Sequence, residues 1–327
     1  MKSAIFALLA LGACAPLVER PGPALVEPSL RDYFFHAADG TALPFRVWMP
    51  DDARPKAVIV ALHGFNDYGN FFALPGEYLS ARGIAAYAFD QRGFGATPKP
   101  GLWPGAAALK DDLRAFARLV RARHPEAPIY LLGESMGGAV ILAAGADAPL
   151  EAEGAILAAP AVWGRITMPW YQRFALWLGA HMTPWAKATG RGLNITPSDN
   201  IEMLKALGRD PLVIKETRVD AIHGLVGLMD EALAAAARFE TRALILYGQK
   251  DEIIPKAPTR LMLERLPASA HKDRRVAFYA EGYHMLLRDL QAETAWRDIA
   301  SWIADGGAPL PSGADRVSAD TALGAER

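Results

Sequence analysis

The sequence predicts an α/β protein built on an open, mostly parallel sheet of eight strands with helices on both faces. Short, continuously apolar runs alternate with helical patterns along the middle of the chain, as buried parallel strands alternate with their crossover helices. The chain has 327 residues, which at roughly 100 to 200 residues per domain allows one large domain. Its 51% hydrophobic and 22% charged residues are typical of a globular protein with its own core.

The eight predicted strands are short and rich in apolar or β-branched residues. The first two form a hairpin, because the Asp39-Gly40 pair between them is a turn signal. The other six are too short to be helices and are predicted to be parallel. The strands span residues 31–37, 41–49, 57–62, 84–89, 129–132, 155–159, 243–247 and 275–279.

Helical patterns separate most of these strands. They span residues 71–82, 106–123, 136–146, 255–266 and 289–304. The alternation stops after the sixth strand, where residues 161–238 show only helical patterning rich in Trp. This stretch is predicted to be a helical insertion, so that the core consists of residues 30–160 and 239–305.

The N-terminal segment is predicted to be a targeting signal. Lys2 precedes an apolar run of about eight residues, much shorter than the ~20 residues of a membrane-spanning helix, so residues 1–13 read as a signal peptide. Leu11-Gly12-Ala13-Cys14 resembles the bacterial lipobox, in which the Cys is lipidated; the alternative is a free Cys in a terminal helix. The resemblance implies a membrane partner through Cys14 in the bacterial cell envelope, and Ala15 indicates the outer membrane.

Two further segments are predicted to lie outside the core. Residues 14–29 contain four prolines and little periodicity, which predicts a semi-extended tether reaching about 45 Å. Residues 306–327 are rich in Gly, Ala, Ser, Asp and Pro and lack aromatic side chains, which predicts a disordered tail.

Charge and cysteine content exclude several functions. Lys plus Arg number 35 and Asp plus Glu 36, so there is no basic surplus for nucleic acid. The single cysteine allows no intrachain disulfide and no Cys-based zinc site. No metal-ligand spacing or phosphate-binding glycine loop occurs, so no metal and no cofactor are predicted. The chemistry must come from Ser, His and carboxylates; the sequence does not indicate an oligomeric state.

A nucleophile is predicted at Ser135. The run Gly133-Glu134-Ser135-Met136-Gly137-Gly138 follows an apolar strand and precedes an Ala-rich helix, which is the context that G-x-S-x-G requires. The glycines allow the close backbone contacts of a sharp, strained turn. The helix that follows directs free N–H groups towards the reacting centre.

A serine nucleophile needs a base, and the base needs an acid. His284 follows the last predicted strand after Gly282, so it would face Ser135 at the carboxyl edge of the sheet. The chain order Ser, acid, His predicts Asp251 after the seventh strand, with Glu252 as the alternative. His181 and His223 lie in the insertion, where either could line a pocket.

Two backbone N–H groups are predicted to bind the oxyanion. One belongs to Met136, directly after the nucleophile. The other belongs to Phe65, in the His63-Gly64-Phe65-Asn66 loop after the third strand. His63 precedes Ser135 in the chain and is predicted to hold this loop by hydrogen bonds.

These motifs together resemble the α/β-hydrolases of the monoacylglycerol lipase and lysophospholipase group. The resemblance rests on the motifs around His63, Ser135, Asp251 and His284 and on the run 90–95, and it covers residues 31–304. It implies the α/β-hydrolase fold, a Ser135–Asp251–His284 triad, Phe65 and Met136 as oxyanion donors, and the insertion as a lid. Glu134 stands where that family usually has His.

The predicted function is hydrolysis of a small-molecule acyl ester, such as a monoacylglycerol or lysophospholipid, through an acyl-enzyme. The lid run 168–178 is apolar almost all round, so it either packs on the core or contacts lipid. The residues predicted to form the lid and bind substrate are Trp163, Trp170, Phe174 and Trp177. The alternatives are a proline-type aminopeptidase or thioesterase with the same fold, and a non-catalytic envelope lipoprotein that binds a ligand.

Overall fold

A nine-stranded sheet forms the centre of the protein. The computed structural model describes residues 15–190, 192, 194–269 and 274–324. The strands in these ranges are β1 (Ser29–Arg31), β2 (Phe34–His36), β3 (Ala42–Trp48), β4 (Ala57–Leu62), β5 (Ile84–Phe89), β6 (Ile129–Glu134), β7 (Gly154–Ala158), β8 (Lys187–Ala188), β9 (Thr217–Arg218), β10 (Ala243–Gly248) and β11 (Arg274–Tyr279). The sheet order is β1-β2-β3-β5-β4-β6-β7-β10-β11, and β8 pairs only with β9. All contacts from β5 to β11 within the sheet are parallel.

Helices cover both faces of this sheet. They are α1 (Ala73–Ser80), α2 (Ala106–Arg123), α3 (Met136–Asp147), α4 (Trp170–Met182), α5 (Ile201–Arg209), α6 (Val219–Ala235), α7 (Lys256–Arg265), α8 (Ala292–Ala304) and α9 (Ala319–Leu323). Alternate residues of β4 point to opposite faces. Val58 and Val60 join the core beneath α2, α3 and α6, whereas Ile59 joins a second core with α1 and α8. The predicted doubly covered, mostly parallel sheet is confirmed.

The sheet has one strand more than predicted, because the first predicted strand is broken. Asp32 and Tyr33 have φ angles of 49° and 63°, and Arg31 pairs with Phe34 across them. A two-residue turn with two positive φ angles matches the twist of a hairpin. The range 31–37 therefore contains a tight turn and parts of two antiparallel strands.

The insertion between β7 and β10 is mainly helical, but it is not without strands. It contains α4, α5 and α6, and β8 pairs with β9 through Lys187↔Arg218 and Ala188↔Thr217. Helix α6 buries Leu228 and Leu233 in the main core. Helix α4 buries only Ala180. The insertion is thus fixed to the body by α6 and leaves α4 outermost.

The N-terminal segment follows the surface of the body rather than extending away from it. The predicted signal peptide and Cys14 lie outside the described residues. From Ala15 the chain has no regular structure up to β1, but the Glu19 N–H donates to the Trp103 carbonyl (2.8 Å) and the Leu25 N–H to the Ala38 carbonyl (2.7 Å). These bonds shorten the free part of the predicted tether. Among the described residues, no helix has the length and hydropathy needed to cross a membrane.

The C-terminal tail is ordered up to Gly324, in contrast to the predicted disorder. Leu310 and Leu323 are buried. Asp315 forms an ion pair with Arg275 of β11 (2.6 Å). The Ser312 N–H donates to Asp298 of α8 (3.0 Å). The tail has few apolar residues, but those it has pack against the edge of the sheet and stabilise it.

Candidate active site

Ser135 lies on a sharp turn between β6 and α3. Its backbone is strained, with φ 52° and ψ −111°, a conformation that a non-glycine residue rarely adopts. A Cβ added to Gly133 would lie 2.3 Å from the Gly137 carbonyl carbon, and one added to Gly137 would lie 2.3 Å from the Leu62 carbonyl oxygen. Both positions therefore need glycine. The turn has the geometry of the nucleophile elbow that the motif predicts.

His284 and Asp251 are directly bonded in the loops after β11 and β10. The imidazole Nδ1 lies 2.8 Å from Asp251 Oδ2 and donates to it, which leaves Nε2 as the proton acceptor. The other oxygen of Asp251 accepts from the N–H groups of Ile253 (2.8 Å) and Ile254 (2.9 Å). Glu252, the alternative acid, instead accepts from the Thr196 N–H (2.6 Å) in the insertion.

The charge around His284 favours its protonated form. Burial alone disfavours a charged imidazole, but the adjacent Asp251 carboxylate, its hydrogen bond and the field of Glu134 outweigh burial and raise the pKa of His284. A base with a raised pKa holds the serine proton more firmly during attack. The same electrostatics stabilise the imidazolium that forms in an acyl transfer.

Ser135 and His284 line one cavity of about 320 Å³. One part of its wall is apolar, formed by Phe65, Pro197, Leu225, Met229, Ile253, Ile254 and Met285. Another part carries Asp67, Glu134 and Arg288. Met136 is the first residue of α3, so its N–H has no partner within the helix. The cavity is amphipathic. Its lining includes the predicted nucleophile Ser135, the predicted base His284 and Phe65 of the predicted oxyanion loop.

A family model described as "Serine aminopeptidase, S33" (Hydrolase_4) matches residues 53–291, well over half of the chain. The chain belongs to this hydrolase family. The match includes the loops that carry Ser135, Asp251 and His284. It ends shortly after the cavity-lining Arg288.

Relatives of this S33 hydrolase include a monoacylglycerol lipase from Mycolicibacterium smegmatis, 27% identical over 85% of this chain and 99% of the relative. The monoglyceride lipase of Rattus norvegicus is 26% identical over 82% of this chain and 88% of its own. A solved monoglyceride lipase variant from Saccharomyces cerevisiae shares the fold, with a TM-score of 0.70, 21% identity and coverage of 89% and 99%. The resemblance to monoacylglycerol lipases among the α/β-hydrolases is confirmed.

His63 of this S33 hydrolase is built into the oxyanion loop. Its Nδ1 donates to the Gly64 carbonyl (2.7 Å), and its Nε2 accepts from the Gln91 N–H (2.9 Å). Burial lowers the pKa of His63 and keeps the ring neutral, despite nearby acidic groups. Both ring nitrogens are used, so this ring orders the loop around Phe65 and has no proton to exchange with Ser135.

The aromatic residues predicted to form the lid and bind substrate are not part of the lining of this cavity. Within the described ranges, none of Trp163, Trp170, Phe174 and Trp177 is among the residues that line it. Trp163 packs against the main core, and Trp170 is 75% exposed at the start of α4. The apolar lining comes instead from Leu225 and Met229 of α6 and from the loops. His181 and His223 pack near each other on the insertion, away from the cavity.

The insertion is bonded to the loop of His284. The Met285 N–H donates to the Pro197 carbonyl (2.9 Å), and the Ser198 hydroxyl donates to Asp289 (2.6 Å). Asp289 also accepts from the Tyr283 N–H (2.8 Å). Met285, next to His284, is therefore held directly by the insertion, and Tyr283 is held through Asp289.

Sequence reasoning missed a buried charge cluster at the cavity. Arg288 donates to Glu134 (2.8 Å) and forms an ion pair with Asp67 (2.7 Å). Burial raises the pKa of Glu134, although Arg288 opposes this. The unusual Glu134 beside Ser135 was the available signal. A buried acid next to Ser135 requires a cationic partner, and Arg288 lies four residues beyond His284 in the chain.

Proposed function

We propose that the protein hydrolyses monoacylglycerols or closely similar single-chain lipid esters. It is a carboxylic ester hydrolase of the serine type. The observation that carries the proposal is the amphipathic cavity, which Ser135 and His284 line together with an apolar wall and a charged one. An acyl chain matches the first wall and a hydroxyl-bearing alcohol matches the second. The relatives named as monoacylglycerol lipases support the same substrate class.

The geometry supports acyl transfer through Ser135. Nε2 of His284 takes the Ser135 proton as Oγ attacks the ester carbonyl, and the N–H groups of Phe65 and Met136 stabilise the oxyanion. The carbon–oxygen bond to the alcohol then breaks, and His284 returns the proton to the leaving oxygen. Water, activated by the same base, attacks the acyl-enzyme and releases the fatty acid. Asp251 fixes the imidazole throughout.

A substrate panel tests this proposal. We expect monooleoylglycerol to be cleaved with a kcat/KM at least about tenfold above those of an oleoyl thioester and an aminoacyl p-nitroanilide, because only the glycerol ester matches both walls. A glycerol monobutyrate arm measures the contribution of the acyl chain. Preference for the aminoacyl amide would establish the aminopeptidase alternative, and no turnover of any substrate would favour the ligand-binding one.

We also propose that lipidated Cys14 anchors the protein in the bacterial cell envelope, at the outer membrane. The outer face of α4 supports contact with lipid, since Trp170, Phe174 and Trp177 are each more than half exposed. The chain that follows Cys14 contacts the insertion through Trp103. Glu19 is bonded to Trp103, and Gly224 of α6 packs so closely on the Trp103 ring that a Cβ there would lie 2.4 Å from it.

Replacing Cys14 tests two things separately: whether this residue attaches the protein to the membrane, and whether attachment raises hydrolysis of a substrate in the bilayer. Cys14→Ser is expected to release the protein from the membrane fraction and lower hydrolysis of a bilayer-embedded monooleoylglycerol about tenfold, because the local concentration at the membrane is lost. Hydrolysis of soluble glycerol monobutyrate should stay within about twofold. The measurements are fractionation and the two rates. A Cys14→Ser protein that remains in the membrane pellet contradicts the anchor.

The α4 surface has its own matched control. Trp170→Ala with Trp177→Ala should weaken the bilayer activity about fivefold more than the soluble one. Tyr33→Ala with Phe34→Ala removes exposed aromatic rings from the first hairpin instead and should change neither rate. Equal losses of bilayer activity in the two double variants would show that α4 has no special contact with lipid.

A further inference from the structure

The charged wall of the cavity contains two carboxylates and one guanidinium. The same nitrogen of Arg288, Nη2, lies 2.7 Å from Asp67 and 2.8 Å from Glu134. The side chains of the three residues are at most 8% exposed. With both acids ionised, the cluster carries one net negative charge directly beside Ser135 and His284.

Among the described residues that line the cavity, no second guanidinium or ammonium group offsets this charge. Arg288 is the only Lys or Arg among the described residues that line the cavity. The charged groups that act on Glu134 are Arg288, Asp67 and His284, and Asp251 adds a further carboxylate behind His284. In a buried site such fields are poorly screened by solvent and salt.

The cluster also retains hydrogen-bonding capacity. Oε1 of Glu134 is buried and makes no hydrogen bond with the described part of the protein. A carboxylate oxygen only accepts, so it matches a hydroxyl group and repels a phosphate or carboxylate oxygen. The other side chains that line the cavity, apart from Ser135 and His284, are apolar, so the charged cluster is the part of the lining that suits the polar alcohol of an amphipathic ester.

We propose that Glu134 and Asp67, which share Arg288, determine headgroup selectivity by admitting uncharged hydroxyl-bearing alcohols and rejecting alcohols with an anionic group. This inference rests on the proposed lipid ester hydrolysis and narrows it. Glycerol esters are substrates, whereas lysophospholipids with a net negative headgroup are poor ones. The expected discrimination is on the order of 10- to 100-fold in kcat/KM.

The test compares monooleoylglycerol with oleoyl lysophosphatidic acid, which has the same acyl ester and an added phosphate. Both are presented in neutral detergent micelles at the same mildly alkaline pH. Glu134→Gln retains the size and one oxygen acceptor but removes one charge. This variant should lower the ratio of kcat/KM for monooleoylglycerol to kcat/KM for the phosphate ester about tenfold, because kcat/KM for the phosphate ester rises. Asp67→Asn should narrow it in the same direction.

Glu231→Gln is the matched control, because Glu231 pairs with Lys110 away from the cavity. It should leave the ratio unchanged. A wild-type enzyme that uses both esters equally overturns the inference. So does an unchanged ratio in both cavity variants, provided that their thermal unfolding shows them folded.

A short-chain series keeps this inference separate from the proposed function. Glycerol monobutyrate and its 3-phosphate carry the same headgroup difference without a long acyl chain. Cleavage of the butyryl but not the oleoyl esters contradicts the lipid proposal alone. The headgroup inference then depends on the butyryl ratio and its response to Glu134→Gln. If neither the butyryl nor the oleoyl esters are cleaved, the proposed function and the headgroup inference are both wrong.

Discussion

Replacing Ser135 with alanine is expected to lower kcat about 10⁶-fold and leave the fold intact. The loss is this large because the nucleophile and base act as a unit, so that removing Oγ abolishes the acyl-enzyme route. Alanine keeps the Cβ and fits the same strained turn, which Gly133 and Gly137 allow. The measurements are kcat on glycerol monobutyrate and monooleoylglycerol, with thermal unfolding as the check on folding.

A fluorophosphonate probe provides the control for this variant. It should label the wild-type protein at one site and leave Ser135→Ala unlabelled. Ser312 lies in the C-terminal tail, outside the cavity, and its hydroxyl donates to Asp298 of α8. Ser312→Ala removes this hydroxyl and should be labelled to the same extent as the wild type. More than a tenth of the wild-type rate retained by Ser135→Ala on every substrate would end the serine hydrolase assignment.

Replacing Asp251 with asparagine is expected to lower the rate about 10⁴-fold, because an amide can no longer fix the tautomer of His284 or stabilise its charged form. His284 must be neutral to accept the proton, and activity is lost as the pH falls through its pKa. Asp251 raises that pKa. The residual activity of Asp251→Asn should therefore extend to lower pH than that of the wild type, as measured by kcat/KM against pH.

The adjacent acid is the control for Asp251. Glu252→Gln loses a contact with Thr196 in the insertion, not with His284, and should keep its rate within about threefold and its acid limb unchanged. If Glu252→Gln is the more damaging change, the acid is one residue further along the chain.

Local features of the fold could be predicted from the sequence. Helix α2 has the predicted bounds, because its apolar residues follow a helical period over several turns. The elbow at Ser135 could be identified because strand, glycines and helix are adjacent in the chain. The turn at Asp32 and Tyr33 was missed because it has positive φ angles without the Gly or Asn that usually indicates them.

Contacts between distant residues could not be predicted in this way. Glu134 and Arg288 are 154 residues apart in the chain, and no periodicity connects them. The aromatic residues of α4 show the same difficulty, because a helix that is apolar all round does not indicate which face meets the cavity. The packing of α6 on α3 decides that point, and it places Leu225 and Met229 at the cavity instead.

The bonds between the insertion and the loop of His284 limit how the protein could be re-engineered. Exchanging residues 161–238 for the lid of a relative would also remove the partners of Met285 and Asp289. The base would then lose supports on its own loop, although no residue of that loop had been changed. A chimera must therefore include residues 283–290 from the same donor, so the lid and this loop form a single unit of exchange.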